Sequence, residues 1–257
     1  MRTLKINNHE LKVYDSIDEL PIINYQKYNK YILIDSGLGS NIDAINLHVS
    51  NLIALLNSDM KKAQQQLQNL QQTLYLLISE VSPQNLAFAA LIYSFDGNIV
   101  SDLSDENLKK LLSLINTEKQ SFIDKTLSEI KKKLSSELEI YFPKEFSGSP
   151  REKEIYDLLR KRTLIILNNI INDKDEDEEI YKIDKTFFDK QKINSFSGSS
   201  SIEVLSDKQF EISCLYISQK ANINAKKLNV LEFYATLHNL NKQAEAELKA
   251  YSKIKKH

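Results

Sequence analysis

The stretch SDMKKAQQQLQNLQQTLYLLISEV, Ser58 to Val81, decides how this chain is read. Met60, Ala63, Leu67, Leu70, Leu74, Leu77 and Val81 follow one another in unbroken steps of three and four, which lays one apolar seam along a helix. At 1.5 Å of rise per residue that helix is about 36 Å long. Its other side carries mostly Gln, Asn and Lys, which tolerate a helix but cannot replace a buried stripe. Such a helix is stable only when its seam is covered, so it is a packing device and not a reactive site.

Working outward, Ile42, Ile45, Val49, Leu52, Ile53 and Leu56 give residues 41–56 a helical core stripe. Ser58 stands where an N-cap of the seam helix belongs, and Pro83 is placed to close that helix. The connection between the two helices is so short that they should form an antiparallel pair. Further on, Ile123, Leu127, Ile130, Leu134, Leu138 and Tyr141 mark a second long amphipathic helix ending at Pro143, and it is the expected partner of the seam. Two helices of matched length would make the spine of a bundle.

The rest of the chain supports a mainly α fold. Five Gly and four Pro in 257 residues leave little punctuation for many strands and tight turns. The one clear β signal is at the start, where Leu4 and Ile6 alternate before Asn7-Asn8, and Leu11 and Val13 alternate after them, predicting a short hairpin. A lone hairpin is marginal in water, so it must lie on its own helices or offer its edge to a neighbouring subunit. Residues 22–36 read as a helix stopped by Gly37 and Gly39, residues 86–93 as a buried helical piece, and Ile99-Val100 as a short extended segment. Ser104 with Asn107 resembles a capping box before Leu108, Leu111, Leu112 and Ile115.

The breaker-rich PKEFSGSP at 143–150 divides the chain into a hairpin plus helical bundle at 1–143 and a C-terminal helical region at 144–257. Within the latter, the acidic run and the serine-rich SFSGSSS make residues 172–203 a flexible surface excursion, ahead of two closing helices.

No constellation spells out a reaction. Asp173, Asp175 and Asp177 occupy alternate positions of a calcium-type loop, but the sixth position is Glu178 instead of Gly and the twelfth is Asp184 instead of Glu, so a solvated acidic loop is the simpler reading. Ser36-Gly-Leu-Gly-Ser40 lacks the third glycine of a nucleotide fingerprint and follows a helix instead of a strand; a helix stop and an N-cap at Ser40 or Asn41 explain the same letters. His9, His48, His238 and His257 stand apart, and the single Cys214 reads as a small buried apolar residue, so neither zinc nor a disulfide is expected. No catalytic residue, cofactor or metal is assigned. Lys and Arg total 34 against 35 acidic residues, which removes the global electrostatic case for nucleic acid and leaves local contact at Lys131 to Lys133, Arg160 to Arg162 or Lys253 to Lys256. The N-terminal segment has no apolar stretch of the signal-peptide kind, and no run is long enough to span a bilayer, so folding in a cytoplasm without membrane attachment is expected.

DELPIINYQKYNKYILIDSGLGSNID, Asp18 to Asp43, is similar to the amino-terminal part of virion-module proteins of crAss-like tailed phages of gut Bacteroidetes, and LNVLEFYATLHNLNK, Leu228 to Lys242, is similar to the terminal helix of phage tail and baseplate assembly proteins. The resemblance implies a place in a virion assembly module. The expectation is therefore a non-enzymatic structural component, a neck or tail ring (head-tail connector) subunit, with a tail or baseplate assembly chaperone as the alternative. It would form homo-oligomers, contact portal or neighbouring ring proteins, fold in the host cytoplasm and reside in the virion. Tyr25, Tyr28, Tyr31, Phe233 and Tyr234 are the expected contact residues, because tyrosine suits surfaces with one end buried and the other wet.

Overall fold

Alternation at the N-terminus builds a sheet before any helix forms. In the computed structural model, which describes residues 1–6, 9–56, 58–79, 81–115, 120–146, 150–172, 174, 176–190 and 193–254, β1 (Arg2–Ile6) pairs antiparallel with β2 (His9–Val13) in the register Leu4 to Leu11. The expected Asn7-Asn8 turn lies outside the described residues. The hairpin does not stand alone: β2 also pairs with β3 (Ile92–Phe95), which turns through Asp96-Gly97 into β4 (Asn98–Ile99). Leu4, Ile6, Leu11, Val13 and Ile92 are buried on one face. The last two residues of the segment expected to be helical from 86 to 93, Ile92 and Tyr93, thus belong to a strand. Asp96 and Gly97 both adopt positive φ, 48° and 80°, the turn that matches the twist of a two-residue hairpin loop. The Asp96 carboxylate accepts from Glu10 N–H at 2.8 Å and pairs with His9 Nδ1 at 2.6 Å, fastening that turn to β2.

Residues 1–143 together with 194–257 form one compact unit, and residues 144–193 form a second. In the first unit, α1 (Ile22–Gly37), α4 (Pro83–Ala90), α5 (Asp105–Ile115) and α6 (Gln120–Tyr141) surround a common core. The short α4 is its centre, with Phe88, Ala87, Ala89 and Ala90 fully buried, and Asn24 Nδ2 donates to the Ala90 carbonyl at 2.9 Å. Pro83 does not close the seam helix. It opens α4 at the first helical position, where its missing N–H is no loss, behind Ser82, whose Oγ caps Asn85 N–H. α6 buries the predicted Ile123, Leu127, Ile130, Leu134 and Leu138, but Tyr141, also expected on that face, is exposed. It does so against α4 and the N-terminal segment, not against the seam helix, and Glu137 fixes it there by accepting from Ser16 Oγ and from Ile17 N–H at 2.9 Å. The expected spine of two long paired helices is not formed.

Residues 194–257 return to this first unit, whereas the sequence reading runs one C-terminal region from 144 to 257. The reason is backbone hydrogen bonding. Ile22 N–H donates to Leu228, Val230 N–H to Leu20 and Leu231 N–H to Ile17, at 2.9–3.0 Å, so the start of α11 (Val230–Ile254) is stitched to the start of α1. The stretches Asp18–Asp43 and Leu228–Lys242 therefore fold against each other. α10 (Ile202–Ala221), capped by Ser201, packs on both helices and buries Cys214 and Ile217.

In the second unit, α8 (Pro150–Asn172) and α9 (Asp177–Lys190) form a hairpin that buries Ile165 and Ile183 and carries a Lys161–Glu179 pair at 2.8 Å. The one-turn α7 (Pro143–Phe146) precedes it. The segment expected to be a surface excursion at 172–203 thus contributes α9. Its tail then lies in the first unit, where the Phe196 ring packs so closely on Gly37 that a Cβ there would stand 2.0 Å from the ring.

Candidate functional site

The pair α2 (Ile42–Leu56) and α3 (Met60–Ile78) holds the most unusual surface in the first unit. Local signals start both helices. Asn41 Oδ1 caps Ala44 N–H at 2.8 Å, as the sequence suggests, and Asp59, one residue beyond the expected Ser58, caps Lys62 N–H at 3.1 Å. The two helices pack antiparallel, as predicted.

The buried side of α3 takes only the Ala63 edge of the apolar seam. Ala63, Gln66, Asn69 and Thr73 face inward, and three of these four are polar. Each polar group is satisfied. The Leu38 carbonyl, at the end of α1, accepts from Thr73 Oγ1 at 3.1 Å and from His48 Nε2 at 3.0 Å. Because a carbonyl can only accept, Nε2 carries the proton, which leaves Nδ1 to accept from Gln66 Nε2 at 2.6 Å. Asn69 Nδ2 reaches the Asn194 carbonyl at 3.0 Å. A buried amide that keeps its partners costs little, whereas one that loses them costs about 1–3 kcal/mol, so these bonds choose which side of α3 turns inward.

Consequently Met60, Leu67, Leu74 and Ile78 are 60, 44, 40 and 82% exposed, roughly a quarter-turn or more around the helix from the polar groups. On α2, with His48 and Leu55 turned in, Ile42, Val49, Ile53 and Leu56 are likewise exposed. Charge is confined to the ends of the stripes, at Asp43 and at Asp59, Lys61 and Lys62: no Asp, Glu, Lys or Arg occurs from 44 to 58 or from 63 to 79. A helix pair designed for water carries charges on its outer face, and depletion of charge around large apolar groups is what marks the centre of a protein–protein contact. Sequence periodicity finds the seam but misses the polar face. The signal that could have found it is the same absence of charge, since an all-amide opposite side is not specialised for solvent either.

The expected contact residues lie elsewhere. Tyr25, Tyr28, Tyr31 and Phe233 are buried in the chain's own core and Tyr234 is part-buried beside them. Tyr25 meets Tyr234 edge-on at 6.3 Å, and Phe233 meets Tyr234 at 5.4 Å and Phe210 at 5.9 Å. Their aromatic rings cement α1 to α10 and α11, and on the α2–α3 surface the exposed large side chains are aliphatic apart from Tyr75.

A cleft of about 690 Å³ opens between α1, the α3–α4 connection and α5, with Ile34, Leu76, Leu86 and Leu112 on its walls and Tyr31, Asp105 and Lys109 among its polar groups. Asp105 is spoken for, accepting from Lys27 Nζ at 2.5 Å and from the Tyr31 hydroxyl at 2.7 Å. Burial alone would raise its carboxyl, but these two donors outweigh burial and hold it below the usual carboxylate range. Burial, reinforced by Asp105, pushes the Tyr31 hydroxyl up, so it is no base. A carboxyl lowered on folding adds stability that is fully present above its unfolded pKa of about 3.9 and is lost as pH falls through the folded value. Asp105→Asn is therefore expected to flatten the loss of stability below about pH 4, measured by urea unfolding across pH. An unchanged acid limb would show that the Lys27–Tyr31–Asp105 contact adds nothing.

The remaining sequence candidates are placed as follows. Leu38 and Gly39 N–H groups are used by the Ile34 and Asp35 carbonyls, so the Ser36–Ser40 loop serves as a helix stop. Burial pushes the Cys214 thiol up, away from nucleophilic use. His9 pairs with Asp96, His48 serves the buried network, and His257 lies outside the described residues. Among the described residues no group of His, Cys, Asp or Glu is arranged to hold a metal ion, and the calcium-type positions Asp173 and Asp175 fall outside them. Lys133 pairs with Asp15 at 3.3 Å. No helix among the described residues is long and apolar enough to cross a membrane.

Compared with protein-family models, curated proteins and solved structures, the chain matches none.

Proposed function

We propose that this chain is a non-enzymatic assembly subunit whose working surface is the charge-free aliphatic face of α2 and α3, and that its setting is the neck or tail of a tailed-phage particle. The observation that carries the assembly reading is the pair of stripes Ile42, Val49, Ile53, Leu56 and Met60, Leu67, Leu74, Ile78, left exposed by helices whose inward sides are locked by hydrogen bonds. The phage setting is supported by the resemblance of Asp18–Asp43 and Leu228–Lys242.

Magnitudes explain why both helices are needed. Covering the four α3 side chains, each already partly buried, contributes roughly 1 kcal/mol apiece. With two copies covering each other that is about 8 kcal/mol against an association cost of about 4–15 kcal/mol, so α3 alone gives little or no surplus and the α2 stripe must be covered as well. Light scattering over a concentration series is expected to give a mass well above 29.6 kDa for the natural chain. The double variant Ile53→Asp with Leu67→Asp is expected to return to that monomer mass with unchanged helix content. A natural chain that stays monomeric at every concentration overturns self-assembly. Quantitative mass spectrometry of purified particles tests the setting: many stoichiometric copies are expected, and absence from the particle overturns a virion role.

A further inference from the structure

We infer that the α2–α3 face is covered by the same face of a second copy, with the two hairpins antiparallel about a two-fold axis that passes at Leu67. This rests on the assembly reading above and names the partner and the geometry. Three observations lead to it.

Three of the four residues of the α3 stripe are symmetric about one of them, with Ile78 lying beyond the symmetric part. Met60, Leu67 and Leu74 are spaced by seven, so an antiparallel copy centred on Leu67 sets Leu67 against its own counterpart and Met60 against Leu74 of the other chain. The α2 stripe agrees with this centre. The His48–Gln66 bond fixes the level of one helix against the other, which puts Leu47 and His48 beside Leu67 and Gln66, with Ile42 on one side of that level and Ile53 and Leu56 on the other. One axis therefore serves both stripes.

Charge then selects the direction. At its turn end the hairpin carries Lys61 and Lys62, with Asp59 taking up Lys62 at 3.6 Å and leaving Lys61 as the net positive charge, and it carries Asp43 near its open end. Antiparallel pairing sets the lysine end of one copy against the Asp43 end of the other, and opposes the α3 helix dipoles favourably. Parallel pairing would satisfy the same seven-residue spacing but would stack lysines on lysines and Asp43 on Asp43. A two-fold contact uses up this face, so a ring built from such pairs closes through another surface; α10 offers Leu205, Ile212 and Leu215, all exposed.

Cysteine cross-linking reads the geometry directly, because the only natural thiol, Cys214, is buried. Under mild oxidation Leu67→Cys chains are expected to form a disulfide dimer in high yield. Met60→Cys chains mixed with Leu74→Cys chains are expected to cross-link to each other, and Met60→Cys chains alone are not. Self-linking of Met60→Cys chains would overturn the antiparallel arrangement. An oligomer by light scattering in which Leu67→Cys chains fail to self-link would overturn the two-fold axis while leaving the assembly reading intact. A natural chain that is monomeric throughout overturns both. Asp43→Lys is expected to weaken the dimer roughly two- to fivefold at low salt, the range of an exposed ion pair; no change would remove the electrostatic argument for direction.

Discussion

Replacing Phe88 by Ala is expected to destabilise the first unit by about 3–5 kcal/mol, as judged by the urea midpoint at an unchanged slope. Phe88 is fully buried on α4, and the helices packed around it, α1, α5 and α6, are held by bonds that do not depend on it, such as Asn24 to Ala90 and Glu137 to Ile17. The site therefore cannot collapse on the space left by a missing ring, and the cavity term adds to the lost transfer free energy. Against a total stability of about 5–15 kcal/mol, the loss is a large fraction of what holds the fold. The informative control is Leu74→Ala, measured at a dilution where the chain is monomeric. If the seam were core, that change would cost about 2–5 kcal/mol; with Leu74 exposed, it is expected to cost under about 1 kcal/mol. Equal effects at Phe88 and Leu74 would contradict the orientation of α3 described above.

His48→Ala is expected to cost about 3 kcal/mol, and to do so locally. The substitution leaves the Gln66 amide without its acceptor, a loss of about 1–3 kcal/mol for a buried polar group left unpaired, and removes the packing of a buried ring, while the Leu38 carbonyl keeps Thr73 as a donor. Amide hydrogen exchange should quicken along α2, which has only His48 and Leu55 turned into the protein, while α4 stays protected. Uniform acceleration through both helices would show instead that the hairpin and the α4 core unfold as one unit. No change in α2 would show that His48 does not seat it. Since the face proposed for assembly exists only while α2 and α3 keep this orientation, the same variant should also lower the solution mass.

Much of the fold was legible in the sequence because its signals are local. Leu4, Ile6, Leu11 and Val13 announced a hairpin, and it forms in that register. Ile123 to Leu138 announced the inner face of α6, and those residues are its inner face. Asn41 and Ser104 cap the helices they precede. In each case neighbouring residues contain the whole instruction. The identity of the partner was a different matter. α6 was legible as an amphipathic helix but not as one that would cover α4, because a stripe states that it must be buried without stating by what. Ile92–Phe95 reads as the continuation of an apolar helix until β2 is present to accept it as a strand. Tyr25 and Tyr234 were recognisable as amphipathic rings, but only their meeting in space decided that they fill the chain's own core.

The sequence by itself determined that this is a mainly helical protein with an N-terminal hairpin, and that Ser58 to Val81 carries a stripe in need of cover. Only the tertiary structure decided that α3 turns Gln66, Asn69 and Thr73 inward and leaves Met60, Leu67, Leu74 and Ile78 facing out. The physical reason is that burying an amide or hydroxyl is unfavourable until its partners are in place. Those partners, His48, the Leu38 carbonyl and the Asn194 carbonyl, come from distant parts of the chain and meet α3 only in the folded state.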